Sequence, residues 1–370
     1  MQADFTIRQR TRTRLRFSPL RGIGTLMGLV LYLYASMHSP DAEAAQDFFL
    51  FPRVNVIHNS DTRANSDLKR NDFDPSVDLF YTGEFEKWRV LGEVFVSEDE
   101  HEAERLQIGW LTDSNDTIWF GRFHNPQGYW NTQCHHGTYL QTSVSRPGIH
   151  AFEDESGVMA SHLTGLAVEG SHSTEDTWNY TLALGAGPTF ETELEPLDVF
   201  SPRGDSHKLS GTARLSYSPE VNSANEVGTF VSHTLITGSG DPVAGVEQIA
   251  YGVFGNWKWS GTRLTGELFF VTDHVDFPTH NERGSFTNVY LQPEYDWRPH
   301  WILYARVENT RGNKDDAYLA LFPDFVLRRN LVGVRYDFAP RQAVKIEINR
   351  THRLNDEFNQ VTLQWSAAFP

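Results

Sequence analysis

The sequence predicts an all-β chain, a transmembrane antiparallel β-barrel of sixteen strands with its third external loop folded inward. Three observations carry this reading: apolar and polar residues alternate with period two from about Phe49 onward, connections alternate between short and long, and tryptophans gather beside the short ones. Period-two alternation is strand geometry, because successive side chains leave opposite faces. The alternating segments are 49–58, 75–85, 88–97, 104–112, 117–124, 161–171, 177–187 and 207–217 in the first half. The second half adds 226–237, 248–257, 261–272, 285–297, 301–308, 326–338, 342–350 and 357–369. Leu106, Ile108 and Trp110 alternate with Arg105, Gln107 and Gly109, and Val344, Ile346 and Ile348 with Lys345, Glu347 and Asn349.

Alternation alone fits a soluble sandwich with its greasy face inside equally well; the connections and the tryptophans separate the two. Tight turns follow strands two, four, twelve and fourteen: 86–87, 113–116, 298–300 and 339–341. Longer polar segments, such as 59–74, 188–206 and 309–325, follow most odd-numbered strands. Short turns on one rim and long loops on the other characterise an outer-membrane barrel, and a sandwich has no reason to sort them so. Trp88, Trp110, Trp119, Trp178, Trp257, Trp259, Trp297, Trp301 and Trp365 lie beside a short turn or the C-terminus, and only Trp130 lies elsewhere. An indole is amphipathic and belongs at the lipid headgroup level, so this rim reads as an interfacial girdle.

The N-terminus reads as an export signal. Arg8, Arg10, Arg12, Arg14, Arg16 and Arg21 precede an apolar run from Gly22 to Tyr34, and Ala42-Glu43-Ala44 offers a small-residue cleavage site. The expected division is a signal peptide over 1–45 and a barrel over 46–370. The chain carries a net charge of −16, and the barrel part, with 26 basic against 45 acidic residues, carries −19. Such a polyanion repels nucleic acid. With one cysteine, Cys134, no intrachain disulfide can form.

The longest connection, about 125–160, is the third on the long-loop side. It opens Gly121-Arg122-Phe123-His124-Asn125-Pro126-Gln127-Gly128, where Gly and Pro end the strand and turn the chain. Tyr129, Trp130 and Tyr139 would wedge it against the wall. The Gly-Arg-Phe-x-x-Pro-x-Gly stretch resembles phosphate-selective-porin-like proteins and other Gram-negative outer-membrane porins, and the alternating C-terminal Val361 to Phe369 resembles a barrel-assembly signal. The resemblance implies a sixteen-stranded channel in the cell outer membrane, a third loop narrowing the pore, a homotrimer, and contact with lipid and lipopolysaccharide. No arginine and lysine ladder accompanies the motif, so phosphate is not carried over as solute.

Candidate pore-lining residues follow from the faces: Arg122, Arg263, Arg306, Arg335 and Lys345 on the wall, with Glu267, Glu308, Asp337 and Glu347 among them, and Glu153, Asp154 and Glu155 on the loop. Two arrangements remain open: a basic wall facing an acidic loop, giving a transverse field, or wall arginines paired locally with Glu308, Asp337 and Glu347. His124, His135, His136, His150 and His162 crowd the same region with Cys134. His135 and His136 are adjacent, without metal-site spacing, so these histidines, His124, His135 and His136 foremost, read as hydrogen-bonding pore liners; no metal, cofactor or catalytic residue is expected. The acidic run Glu98–Glu104 reads as a solvated face. The expected function is passive diffusion of small hydrophilic solutes or ions. The alternatives are a barrel enzyme of lipase or protease type, for which Ser143 and Ser145 lie near His150 and His162, and a structural or adhesive barrel.

Overall fold

The computed structural model describes residues 45–60, 68–98, 101–134, 137–173, 176–199, 206–220, 223–240, 242–312 and 316–370. The expected signal peptide lies outside these residues, apart from Ala45.

Every alternating segment forms a strand. The first eight are β1 (Ala45–Asn59), β2 (Asn71–Phe85), β3 (Trp88–Ser97), β4 (His101–Leu111), β5 (Thr117–His124), β6 (His162–Ser173), β7 (Thr177–Ala186) and β8 (Leu209–Ser218). The second eight are β9 (Glu226–Gly238), β10 (Gly245–Trp259), β11 (Thr262–Asp276), β12 (Asn281–Arg298), β13 (Trp301–Arg311), β14 (Arg328–Ala339), β15 (Gln342–His352) and β16 (Glu357–Ala367). Each pairs antiparallel with its sequence neighbours. β1 pairs with both β2 and β16, from Arg53 opposite Ser366 to Asn59 opposite Gln360, which closes the sheet. Closure matters because an open edge in hydrocarbon would leave backbone groups unsatisfied. Two short strands, Thr189–Phe190 and Leu194–Glu195, form a hairpin inside the connection between β7 and β8.

The faces are inverted relative to a soluble protein. On β15, Ile346 and Ile348 are 45% and 51% exposed while Lys345 and Glu347, which alternate with them, are 0% exposed. Leu182, Leu184, Val231, Val253 and Val307 join the outer apolar surface. An apolar band of this extent is compatible only with a lipid surround. The short turns need residues that tolerate a left-handed backbone: Glu86, Asn115, Ser260, His300 and Arg341 all have positive φ.

The tryptophan rim divides in one place. Trp88, Trp110, Trp178, Trp257, Trp259 and Trp297 are exposed on the outer surface. Trp119, expected among them, points the other way. Ile118 and Phe120 take the outer face of β5, so the indole of Trp119 turns inward and donates to Glu169 at 2.7 Å.

Candidate functional site

The alternation of acids and bases on the inner wall of β11–β15 makes sense once segment 125–160 is placed against it. Asn125 donates to the carbonyl of Ala160 (2.9 Å), and Asn131 donates to the carbonyls of Asn125 and Ser161, so the two ends of the segment are tied together. Between them the chain has little regular structure, a short helix at Trp130–Gln133 and two single 3-10 turns. Its backbone groups therefore need partners from elsewhere.

Wall carboxylates supply the acceptors. Glu267 accepts the backbone N–H of Trp130 (2.8 Å) and the Tyr290 hydroxyl (2.5 Å), and its Oε1 lies 3.1 Å from His150 Nε2. Glu308 accepts from Gly148 N–H (2.7 Å), Glu347 from Val144 N–H (2.9 Å), and Glu294 from the Thr142 hydroxyl (2.8 Å). Wall cations supply the donors. Arg335 donates to the carbonyls of Tyr139 (2.7 Å) and Gln141 (2.9 Å), Lys345 to that of Thr138 (2.5 Å), and Arg306 to that of Ser145 (2.9 Å). Charge-assisted bonds of this kind are the stronger class.

Two close approaches fix the register of the segment. Gly128 has φ 70, and a Cβ there would collide with the Glu267 carboxylate. Trp130, 2% exposed, meets Tyr290 edge-on at 6.4 Å and lies under the Arg306 guanidinium. Ile149, Val158 and Met159 continue this packing toward Phe230 and Phe269 on the wall, and toward Leu194, Tyr318 and Phe322 from other long connections. The Tyr318 hydroxyl donates to the carbonyl of Val158 at 2.8 Å. One side of the lumen is thus a packed interior.

The other side, along β3–β9, keeps open space. A cavity of about 550 Å³ is lined by Arg89, Arg105, Gln107, Trp119, His124, Glu169, Arg214 and Glu226, with Pro126, Tyr129, Thr132 and Gln133 of the segment against it. Its charges are paired along the wall, Arg105 with Glu93 (2.9 Å) and Arg214 with Glu226 (2.8 Å).

Above this cavity the returning arm of the segment places Glu153 against β6. Glu153 accepts the backbone N–H of His162 (2.8 Å) and contacts its Nδ1 (3.0 Å). Burial works against the charge of Glu153, yet the positive field and hydrogen bonds of His162, with Arg122 beyond, hold its carboxyl below the usual range. Arg122 pairs with Glu102.

No family model and no curated protein matches the chain. Solved structures do. The anion-selective porin from Comamonas acidovorans is similar at TM-score 0.61 and 9% identity, over 88% of this chain and 100% of that one. OmpF of Salmonella typhi, in complex with daunomycin, is similar at 0.59 and 10%, over 88% and 97%. The outer membrane channel DcaP of Acinetobacter baumannii is similar at 0.57 and 11%, over 90% and 98%.

The barrel has the porin fold.

Within that porin fold the sequence-predicted residues separate into two groups. Arg306, Arg335 and Lys345, expected to line open water, are buried beneath segment 125–160, because its carbonyls cap them. Arg306 also pairs with Glu308, and Arg335 with Asp337, both at 2.8 Å, so the local pairing is the arrangement observed there. Arg263 stays part-exposed, 3.6 Å from Glu294. Arg122, the His124 side chain and Glu153 are buried as well, where Glu153 of the segment meets β6 on the opposite side, and Glu155 is exposed beside them; the side chain of Asp154, and His135 and His136 altogether, lie outside the described residues. The serines considered for hydrolysis are bound to the wall assembly. The Ser145 hydroxyl donates to Glu347, and that of Ser143 to the Ser145 carbonyl.

The acidic run is corrected in part. Glu104 is 5% exposed and lies 2.9 Å from His162, and Glu102 holds Arg122. The cause is a β-bulge: Glu93 pairs with Arg105 and Phe95 with Glu102, so Val94 opposes both Ala103 and Glu104 and the alternation slips by one. Sequence reasoning also missed Glu294 and Arg329 as anchors. Arg329 donates to the Arg146 carbonyl at 2.9 Å. The period-two pattern on β12 and β14 was the available signal.

Proposed function

We propose that this chain is a passive porin-type channel of the outer membrane for small hydrophilic solutes or ions, narrowed by segment 125–160. The observation that carries the reading is the seating of that segment: its backbone is hydrogen-bonded to acids and bases of β11–β15, while paired charges on the opposite wall border open space. A binding groove for one ligand would not require an unstructured segment held by its backbone across five strands. A channel does, because the segment must stay fixed while water and solute move past it.

Solutes pass through the open space along β3–β9, which Arg89, Arg105 and Arg214 border. Glu155, exposed on the returning arm, contributes to ion preference, whereas Arg306, Arg335 and Lys345 act through the seat of the segment. The protein works as a homotrimer in a lipopolysaccharide-containing leaflet, an arrangement supported by the trimer form recorded for OmpT of Vibrio cholerae, a structure of the same fold (TM-score 0.56, 10% identity, over 88% of this chain and 99% of that one).

Planar-bilayer recording tests the proposal. The purified mature barrel gives stepwise conductance, and Glu155→Gln shifts the reversal potential in a salt gradient. A folded barrel that gives no conductance steps refutes the channel; steps with an unchanged reversal potential refute the role of the acidic arm.

A further inference from the structure

Three ligand-type side chains converge where β4, β5 and β6 meet the returning arm. Glu104, His124 and His162 each place one ligand atom so that the three lie within 4.8 Å of one another, and all three residues are buried. His124 and His162 are cross-strand partners on β5 and β6, with ring centroids 5.2 Å apart. Glu104 comes from the bulge on β4 and brings Oε2 to 2.9 Å from His162 Nε2.

We propose that Glu104, His124 and His162 bind one divalent transition-metal ion of the zinc class. Two imidazoles and one carboxylate, with a position left for water, are a recurrent zinc set. Ligand atoms held about 2.0–2.1 Å from such an ion stand roughly 3.3 Å apart, so the cluster needs shifts of about an ångström, within rotamer reach. The outer shell is already built. Glu153 contacts Nδ1 of His162 at 3.0 Å and accepts its backbone N–H at 2.8 Å, which leaves Nε2 as the coordinating nitrogen, the carboxylate–histidine–metal arrangement that orients a ligand. Glu93 lies 3.9 Å from Nε2 of His124.

The ion also pins the returning arm, since Glu153 belongs to segment 125–160 and the three ligands belong to the wall. The bare-protein alternative is an imidazolium of His162 bridging Glu104 and Glu153, and the test separates the two.

The refolded mature barrel in detergent is stripped with chelator and titrated with Zn²⁺ by calorimetry, without any conductance measurement. The expected result is one saturable equivalent. It weakens more than about 100-fold in His124→Gln and about 10- to 100-fold in Glu153→Gln, the range typical of second-shell loss. It persists in a His135→Ala, His136→Ala variant. Absence of a saturable equivalent in the wild type overturns the proposal, as does binding unchanged by His124→Gln or lost with His135 and His136. Folding is checked by heat-modifiable mobility on gels. If His124→Gln does not fold, zinc-edge X-ray absorption of the His135→Ala, His136→Ala protein decides: a shell of two imidazoles supports the site, and its absence overturns it.

Discussion

Replacing Glu267 by alanine is the sharpest probe of how segment 125–160 is held. Its carboxylate is 3% exposed and takes two donated bonds, from Trp130 N–H and Tyr290 O–H, with His150 Nε2 3.1 Å away. A hydrogen bond to a charged group contributes about 1.5–3 kcal/mol, and a buried donor left bare costs on the order of 1–3 kcal/mol. Three contacts sharing one carboxylate do not add independently, and lumenal water will reach some of them. The net loosening for Glu267→Ala is therefore about 3–4 kcal/mol, and for Glu267→Gln, which keeps one carbonyl acceptor, roughly half that. At 1.4 kcal/mol per tenfold, the alanine variant populates the unseated segment at least about 100-fold more often. The assay is amide hydrogen exchange of the refolded barrel, followed at Trp130. Its amide should exchange about 100-fold faster in Glu267→Ala and about tenfold faster in Glu267→Gln, while strand amides of β14–β16 keep their protection. Equal exchange at Trp130 in all three proteins would refute the claim that the wall carboxylate seats the segment.

Other consequences can be checked alongside. Gly128→Ala places a methyl group on Glu267 at a backbone with φ 70, so it should unseat the same segment and raise Trp130 exchange without altering the strands. Val253→Lys, on a 52% exposed outer position of β10, should destabilise the barrel in liposomes by about 2–4 kcal/mol near the bilayer midplane, read from urea unfolding. Trp88→Ala should remove an exposed edge-to-face pair with Trp110 (4.7 Å) and lower stability in bilayers, whereas Trp119→Phe should leave unfolding in bilayers nearly unchanged and act on the lumen. Burial pushes the Cys134 thiol up to about 12. A raised thiol pKa leaves the thiolate scarce below it, so alkylation at pH 8 should run about 10³-fold slower than for a free cysteine and recover in the unfolded chain.

The lumen shows where sequence reasoning stops. Arg306 and Glu308 on β13, or Lys345 and Glu347 on β15, are recognisable as inward-facing because a strand turns every second side chain to the same face. Whether such a residue meets water or a folded segment depends on chain more than a hundred positions away, and period-two patterning carries no information about that. Trp119 and Glu104 fail for a more local reason. Trp119 lies near a turn, but the parity of Ile118 and Phe120 decides its face, and Glu104 sits in a bulge that shifts the alternation.

What the sequence determined by itself was the wall: sixteen strands, their order, the greasy outward face and the sorting of short and long connections. Those properties are local, set by alternation and by turn residues, and each strand pairs with its neighbour in the chain. What only the tertiary structure decided was the interior. The seating of segment 125–160 on Glu267, Glu308 and Glu347, the capping of Arg335 and Lys345, and the meeting of Glu104, His124 and His162 depend on hydrogen-bond geometry between distant parts of the chain. Such pairings follow from barrel closure and from the need to satisfy buried backbone groups.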